Sequence, residues 1–422
     1  MKRRHSQGDN EFNPETLALG YGYDPFLSEK AVKPPVFLTS TFQFESAEEG
    51  KRFFEVVYGL REREKGEKRG LIYSRLNNPN LQIFEERMAA WDRTEVGATF
   101  ASGMAAISTT MLALLRPGDV VLSTTPVYGG THYLFQHILP AFDIGTRYVQ
   151  AGEDAAEGMR QAALDAGPER VRVLFIETPA NPSLVHSDIS AVASLAEELG
   201  ECHGAEVFSV VDNTLLGPVF QRPASLGADL VIYSATKFIG GHSDLVAGIL
   251  TGPRETVHRI LDMRTILGTM TTPFNGWLLL RSLETVSVRM RRQAKNAKAL
   301  ARALVAHPRV TRVLYPGLLE PGDAQYELDR RQCTGSGSLI SFEVEGGQPA
   351  AFGVLDRFEV FRLAVSLGGT ESLVEHPMTM THSDVPPDEL EASGVTPGLI
   401  RMSVGLEHLS DLERDLRWAL EG

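Results

Sequence analysis

Cysteine is almost absent: the 422 residues include two, Cys202 and Cys333. That excludes a disulfide scaffold and any multi-cysteine zinc or iron–sulfur centre, and it fits a reducing cytoplasm. Positive charge is short as well. The 41 Lys+Arg stand against 54 Asp+Glu, a formal net charge of −13. Nucleic acid and anionic membrane are thereby excluded as partners, since both need a net basic face. A local basic pocket for a small anion stays compatible. Long apolar runs are missing too. The longest, Met104 to Leu115, is interrupted by Ser108, Thr109 and Thr110 and is too short to span a bilayer. No apolar segment follows the basic start Lys2-Arg3-Arg4, so it does not read as a secretory signal. Internal repeats and low-complexity tracts are absent. What remains is an ordinary globular composition, with 43% hydrophobic and 23% charged residues. At roughly 150 residues per domain the length suggests two or three domains.

Residues 1–80 are rich in proline (Pro14, Pro25, Pro34, Pro35, Pro79) and carry a charged stretch from Arg61 to Arg69. They read as an arm that wraps over something else. Residues 81–275 read as an α/β unit. Val120–Leu122, Val171–Ile176, Val207–Val211 and Leu230–Tyr233 are short apolar runs that suit buried strands. Between two of them Ile189, Val192, Leu195, Ala196 and Leu199 recur at helical spacing, with Asp188 as cap and Gly200 just past the end. This alternation implies a mainly parallel sheet with helices on both faces, and such sheets bind ligands at the carboxyl ends of their strands. Residues 276–422 read as a smaller α+β domain. One long helix is expected over Asn275–Asn296. Strands are expected over Ser338–Val344, Leu363–Val365 and Leu399–Val404. A last helix starts at Ser410, with Ser410 and Glu413 as a capping box.

Chemistry concentrates after the strands. Lys237, in Tyr233-Ser234-Ala235-Thr236-Lys237, directly follows one of them, with hydroxyls one and three residues before it and Gly240-Gly241 after it. A desolvated lysine there is free to form a Schiff base, and the hydroxyls suit phosphate oxygens. Asp212 ends a strand 25 residues earlier and needs a cationic partner or solvent. A protonated pyridine nitrogen is such a partner. Ser102-Gly103-Met104 opens a helix whose free N–H groups suit an anion, and Tyr128 offers a ring that can stack on a flat cofactor. Alone, each has an ordinary structural explanation: a loop lysine, a capping Asp or Ser, a packed Tyr. Together they supply aldehyde anchor, nitrogen partner, phosphate seat and ring stack.

On these residues the chain resembles the pyridoxal-phosphate enzymes of cysteine and methionine metabolism. These are the transsulfuration group of cystathionine synthases and lyases, methionine γ-lyases and homoserine-ester sulfhydrylases. The resemblance runs from Pro34-Pro35 to Leu409. Its motifs are Tyr73-Ser74-Arg75-x-x-Asn78-Pro79, Ser102-Gly103-Met104, Tyr128-Gly129-Gly130-Thr131, Glu177-Thr178-Pro179-Ala180-Asn181-Pro182, Val211-Asp212-Asn213-Thr214, the Lys237 segment, Ser366-Leu367-Gly368-Gly369 and Arg401-x-Ser403-Val404-Gly405-Leu406-Glu407.

The resemblance implies an aminotransferase-type (fold type I) large domain with a C-terminal small domain, and pyridoxal 5'-phosphate as cofactor. It implies that Lys237 anchors the aldehyde and moves protons. Asp212 would pair with the ring nitrogen, and Tyr128 would stack on the ring and aid the leaving group. Gly103, Met104, Ser234 and Thr236 would bind the phosphate. Tyr73 and Arg75 would reach the phosphate of a neighbouring subunit, which makes the expected state a homotetramer built from two dimers with shared sites. Arg401 would fork onto the α-carboxylate of a small amino-acid substrate, a geometry arginine suits, with Asn181 and Ser366 helping to place it.

Two departures bear on the reaction. Cystathionine-handling γ-enzymes of the group carry Glu before the Ser of Ser-Leu-Gly-Gly. Here that residue is Val365, as in methionine γ-lyases, and an apolar side chain cannot pair a distal ammonium. Methionine γ-lyases carry Cys after Tyr-Gly, whereas here it is Gly130, as in the cystathionine enzymes. Val365 has the explicit chemistry. It favours γ-elimination from a methionine-like substrate to 2-oxobutanoate, ammonia and a thiol. The alternatives are γ-replacement, as by a cystathionine γ-synthase or an O-acylhomoserine sulfhydrylase, and cystathionine γ-lyase activity. The stretch Lys51–Gly70 is longer than usual for the group and lies just before Tyr73.

Overall fold

The computed structural model describes residues 12–62, 64, 70–383, 385–386, 390 and 393–422. The basic start and most of the charged stretch 61–69 lie outside the described residues. Seven strands form the large sheet: β1 (Val96–Phe100), β2 (Val120–Thr125), β3 (Gly145–Gln150), β4 (Val171–Glu177), β5 (Phe208–Asp212), β6 (Leu230–Ser234) and β7 (Gly248–Gly252), in the order β1-β7-β6-β5-β4-β2-β3. Only β7 runs against the rest. The central strands are nearly continuous apolar runs, and β4 (VRVLFIE) is buried at all but one position. A strand covered on both faces needs that composition. Helix Gly103–Leu114 covers one face with Ala106, Ile107 and Met111. Helix Ile189–His203 covers the other with Ile189, Val192, Leu195 and Leu199.

The second sheet has five strands, β8 (Val310–Leu314), β9 (Leu339–Val344), β10 (Arg362–Leu363), β11 (Leu373–Glu375) and β12 (Leu399–Ser403), in the order β10-β11-β12-β9-β8. It is antiparallel apart from the β10/β11 pair. Its own core joins Ile340, Phe342, Ile400 and Met402 to Leu412 and Leu416 of the last helix.

Local expectations hold unevenly. Asp188 caps its helix by accepting from Ala191 N at 3.2 Å, but the helix runs past Gly200 to His203 and ends on Gly204, which takes the left-handed conformation. The long helix over Asn275–Asn296 is two helices, Pro273–Leu283 and Val286–Val305, divided at Glu284-Thr285. There Thr285 donates its side chain back to Ser282 O at 3.3 Å, and such local bonding competes with the helical ladder. The final helix begins at Leu409 with His408 as its cap residue, and no side-chain cap bond forms. Ser410 instead pairs with His408 Nδ1 at 2.8 Å, so the capping box is not made. The strand expected over Leu363–Val365 stops at Leu363.

The proline-rich arm is not all irregular. It contains helices Pro14–Gly20 and Ala47–Val57, the latter opening the long 51–70 stretch, and Ser46 caps it by accepting from Glu49 N.

Candidate active site

Strands β1, β2, β4, β5 and β6 point the same way, so the segments after them share one edge of the sheet. Ser102 follows β1 and caps helix Gly103–Leu114 through a 3.0 Å bond from Ala105 N. The N–H groups of Gly103 and Met104, ahead of that capped donor, lie at this edge, the arrangement an anion needs. A Cβ on Gly103 would sit 2.8 Å from Ser234 Cβ, so only glycine lets the helix start close against Ser234. Together they form a cup. Thr236, on the turn after β6, exchanges bonds with Ala247 through its hydroxyl (3.2 Å to O, 3.0 Å from N) and fixes that turn.

Asp212 ends β5 in the interior. Its Oδ1 accepts from Thr214 N at 3.0 Å and Thr214 Oγ1 at 2.6 Å, which fixes the carboxylate. Burial pushes its proton affinity up, and the Thr214 bonds oppose this. In register beside it stands Glu177, the last residue of β4. Glu177 accepts from Tyr128 N at 2.7 Å and so holds the backbone that carries the Tyr128 ring. Burial first, then the neighbouring Asp212 charge, hold the Glu177 carboxyl well above the usual range. A Cβ on Gly130 would come within 2.7 Å of Tyr128 Cε1 and 3.2 Å of Met104 Sδ. The glycine thus leaves room for both the Tyr128 ring and Met104.

Lys237 Nζ donates to Ser366 Oγ at 2.8 Å across the gap between the two sheets. Burial and, second, the Arg401 charge bring the amine down to about 8, with Glu375 opposing. Ser366 has a φ of 97°, a strained backbone for a residue with a Cβ, and such strain gathers at functional positions. Arg401, on β12, donates to Asn181 Oδ1 and to Ser366 O, both at 3.0 Å. Its Nη2 also lies 2.9 Å from Glu375 Oε1, with both side chains buried. Burial pulls the guanidinium below its ordinary range, and Glu375 and Glu177 oppose that. Asn181 is braced in turn by His382, which reaches its carbonyl at 3.2 Å.

The fold thus joins Lys237, Ser366, Arg401 and Asn181 by direct contacts. It also sets Ser234 beside Gly103 and links Met104 to Tyr128 through Gly130. Tyr73 and Arg75 stand apart from these residues. Arg75 donates to Thr265 O at 2.7 Å and lies over the exposed Tyr73 ring. Sequence reasoning gave no role to Glu177 or Glu375. A charged residue closing an apolar strand marks both, the same signal that singled out Asp212.

These residues fit pyridoxal phosphate. The cup suits its phosphate, the fixed Asp212 carboxylate a cationic nitrogen, and the desolvated Lys237 amine its aldehyde. The comparisons with known proteins agree. A family profile described as "Cys/Met metabolism PLP-dependent enzyme" matches residues 15–421. L-methionine gamma-lyase from Pseudomonas putida is 40% identical over 408 residues, 96% of each chain. Cystathionine gamma-lyase from Sus scrofa is 38% identical over 96% of this chain and 93% of its own. The crystal structure of cystathionine gamma synthase from Xanthomonas oryzae pv. oryzae, in complex with aminoacrylate and cysteine, superposes with a TM-score of 0.86 at 33% identity. That match covers 97% of this chain and 98% of the other. The relatives are carbon–sulfur lyases and synthases of transsulfuration, the fold is type I, and the cofactor of the group is pyridoxal phosphate. The chain belongs to the pyridoxal-phosphate-dependent enzymes of cysteine and methionine metabolism.

Proposed function

We propose that this enzyme releases a thiol from methionine or a close analogue by γ-elimination, leaving 2-oxobutanoate and ammonia. The observation that carries the reading is the placement of Val365. It is 56% exposed and adjoins Ser366, whose hydroxyl accepts from the Lys237 amine. An apolar side chain at that point suits a thioether tail and leaves a distal ammonium without a partner. The L-methionine gamma-lyase of Pseudomonas putida supports it.

Pyridoxal phosphate, which Lys237 would hold by its aldehyde until the substrate amine takes that place and frees the lysine, would supply an electron sink for charge developing at the substrate α-carbon. Gly103, Met104, Ser234 and Thr236 seat its phosphate, and Asp212 stands as the counter-charge of its ring nitrogen. Arg401, held by Asn181 and Ser366, orients the α-carboxylate. Lys237 takes the α-proton, an exchange its lowered proton affinity favours. Tyr128, positioned by Glu177, hands a proton to the departing sulfur.

The chain divides into an arm (1–80), a large domain (81–275) and a small domain (276–422). The arm brings Tyr73 and Arg75 to a neighbouring subunit's site within a homotetramer of two dimers. Val32 (82% exposed) and Phe26 (75%) support this reading, since a second copy gives such apolar side chains cover. Two free cysteines suit the cytoplasm.

The test is a product assay on the holoenzyme with L-methionine, following 2-oxobutanoate and methanethiol together. Release of both is expected. No release from protein with the absorbance of Lys237-bound cofactor would overturn the reading. Gly130, tight under the Tyr128 ring, favours the second one, γ-replacement on an acylated homoserine with cysteine or sulfide. Its sign would be a thioether or homocysteine product.

A further inference from the structure

A second cluster, buried at His186 and part-buried at Asp329 and Cys333, joins three kinds of ligating side chain where the two sheets' domains meet. His186 lies on the segment that leads from Asn181 to helix Ile189–His203. Asp329 belongs to helix Tyr326–Gln332, and Cys333 caps that helix. A step of four residues puts Asp329 and Cys333 on one helix face. One ligand atom from each of the three residues lies within 4.8 Å of the others. His186 is fully buried. Its Nε2 and Asp329 Oδ1 are shielded from solvent and stand 3.3 Å apart, yet neither has a hydrogen-bond partner. Polar atoms stranded in this way cost free energy.

The distances suit a shared ion. With metal–nitrogen and metal–oxygen bonds of about 2.0–2.1 Å, a tetrahedral edge is about 3.3 Å, and with a thiolate bond of about 2.3 Å it is about 3.5 Å. Cys333 Sγ lies 3.9 Å from His186 Nδ1 and 3.2 Å from Gln221 Oε1, a fourth donor. Thiol and carboxylate sit near different ring nitrogens but within 4.8 Å of each other, so they flank one edge of the imidazole. Turning the ring about its Cβ–Cγ bond aims one nitrogen between them.

We propose that His186, Asp329 and Cys333 bind a divalent ion of the zinc class, which ties the Asn181 segment to the small domain. Nitrogen, oxygen and sulfur donors together disfavour magnesium and calcium, which take oxygen. On binding, the Cys333 S–H bond breaks, its proton passes to buffer and a sulfur–metal bond forms, with no change of oxidation state. Carboxylate and thiolate then balance the two positive charges, so the part-buried site is neutral. Gln325 brackets His186 by accepting from its N (2.6 Å) and donating to its O (3.1 Å), which pre-forms the segment.

The test is titration of chelator-dialysed holoenzyme with Zn²⁺ and, as an optical probe, Co²⁺. Expected are one ion per chain, a thiolate-to-cobalt charge-transfer band, tetrahedral visible bands and a higher unfolding midpoint with Zn²⁺. Cys333→Ser should abolish the charge-transfer band. His186→Gln should weaken binding by about a hundredfold or more, since even outer-shell partners are worth about 10–100-fold. Cys202→Ser should change nothing. Absence of stoichiometric binding would overturn the proposal and leave an ion pair only. A band that survives Cys333→Ser, or is lost in Cys202→Ser, would equally overturn it. If His186→Gln does not fold, Asp329→Asn and Cys333→Ser carry the same comparison. None of these readouts depends on which amino acid the enzyme consumes.

Discussion

Lys237 shows how burial makes a reagent of an ordinary side chain. Its folded value, about 8, lies below the ordinary 10.5, so the free amine dominates in the fold above about pH 8. Capture of pyridoxal phosphate by cofactor-free protein should therefore quicken as pH rises through about 8 and then level, as read by stopped-flow absorbance. A rate that is flat across that window would refute the desolvated amine. Between about 8 and 10.5 the unfolded chain binds the extra proton, so the stability of the cofactor-free protein rises with pH there. Arg401 makes a different demand. Arg401→Ala should lower kcat/KM by roughly 10–150-fold, the worth of charged hydrogen bonds to a carboxylate, while the Lys237-bound cofactor keeps its absorbance. The same change strands Glu375 as a buried charge and should cost about 3–5 kcal/mol of stability, read from denaturant midpoints. Asp212→Ala should instead weaken cofactor retention and turnover together. Unchanged values for both would reject its pairing with the ring nitrogen.

At the scale of elements, the turn that carries Lys237 is fixed from behind by helix Val286–Val305. Arg289 of that helix is buried and donates to Phe238 O (2.7 Å), Ile239 O (3.2 Å) and Ser282 O (3.0 Å). Burial lowers its guanidinium to about 10. Gly241 makes room for it: a Cβ there would stand 1.9 Å from Arg289 Nη1, at a φ of 67°. Arg289→Met leaves three carbonyls without this donor and should destabilise by about 3–5 kcal/mol. Gly241→Ala should destabilise comparably by expelling the guanidinium, although it deletes no donor. Urea unfolding of both variants checks this. An unaffected Gly241→Ala would show that the arginine is not confined there.

At the scale of the molecule, the proposed role of the arm turns on whether one chain makes a complete site. Tyr73 and Arg75 stay apart from their own chain's Lys237 cluster, and if they complete a neighbour's site, complementation follows. Arg75→Ala and Lys237→Ala chains, each nearly inactive alone, should regain activity when unfolded together and refolded. In a dimer with random pairing about a quarter of the sites then hold both wild-type residues. Recovery no greater than the sum of the separate variants would place Arg75 outside the shared site.

The sequence by itself determined the family and the layered fold, and it singled out the positions proposed to carry chemistry. Strand-length apolar runs, helical spacing and residues placed after strands are local signals, and they located Lys237, Asp212, Tyr128 and the Gly103 helix start. Local signals were weaker at element ends. Gly200 did not stop its helix, and Ser410 paired with His408 instead of capping, because neighbouring contacts outweigh a cap worth about 1 kcal/mol. Only the tertiary structure decided the electrostatics. Glu375 meets Arg401 because β11 pairs with β12 in a register that sets those two residues opposite each other. Glu177 meets Asp212 through the β4/β5 register. His186 meets Cys333 across 147 residues. Charge coupling depends on distance and burial, and neither is written in any one segment of the chain.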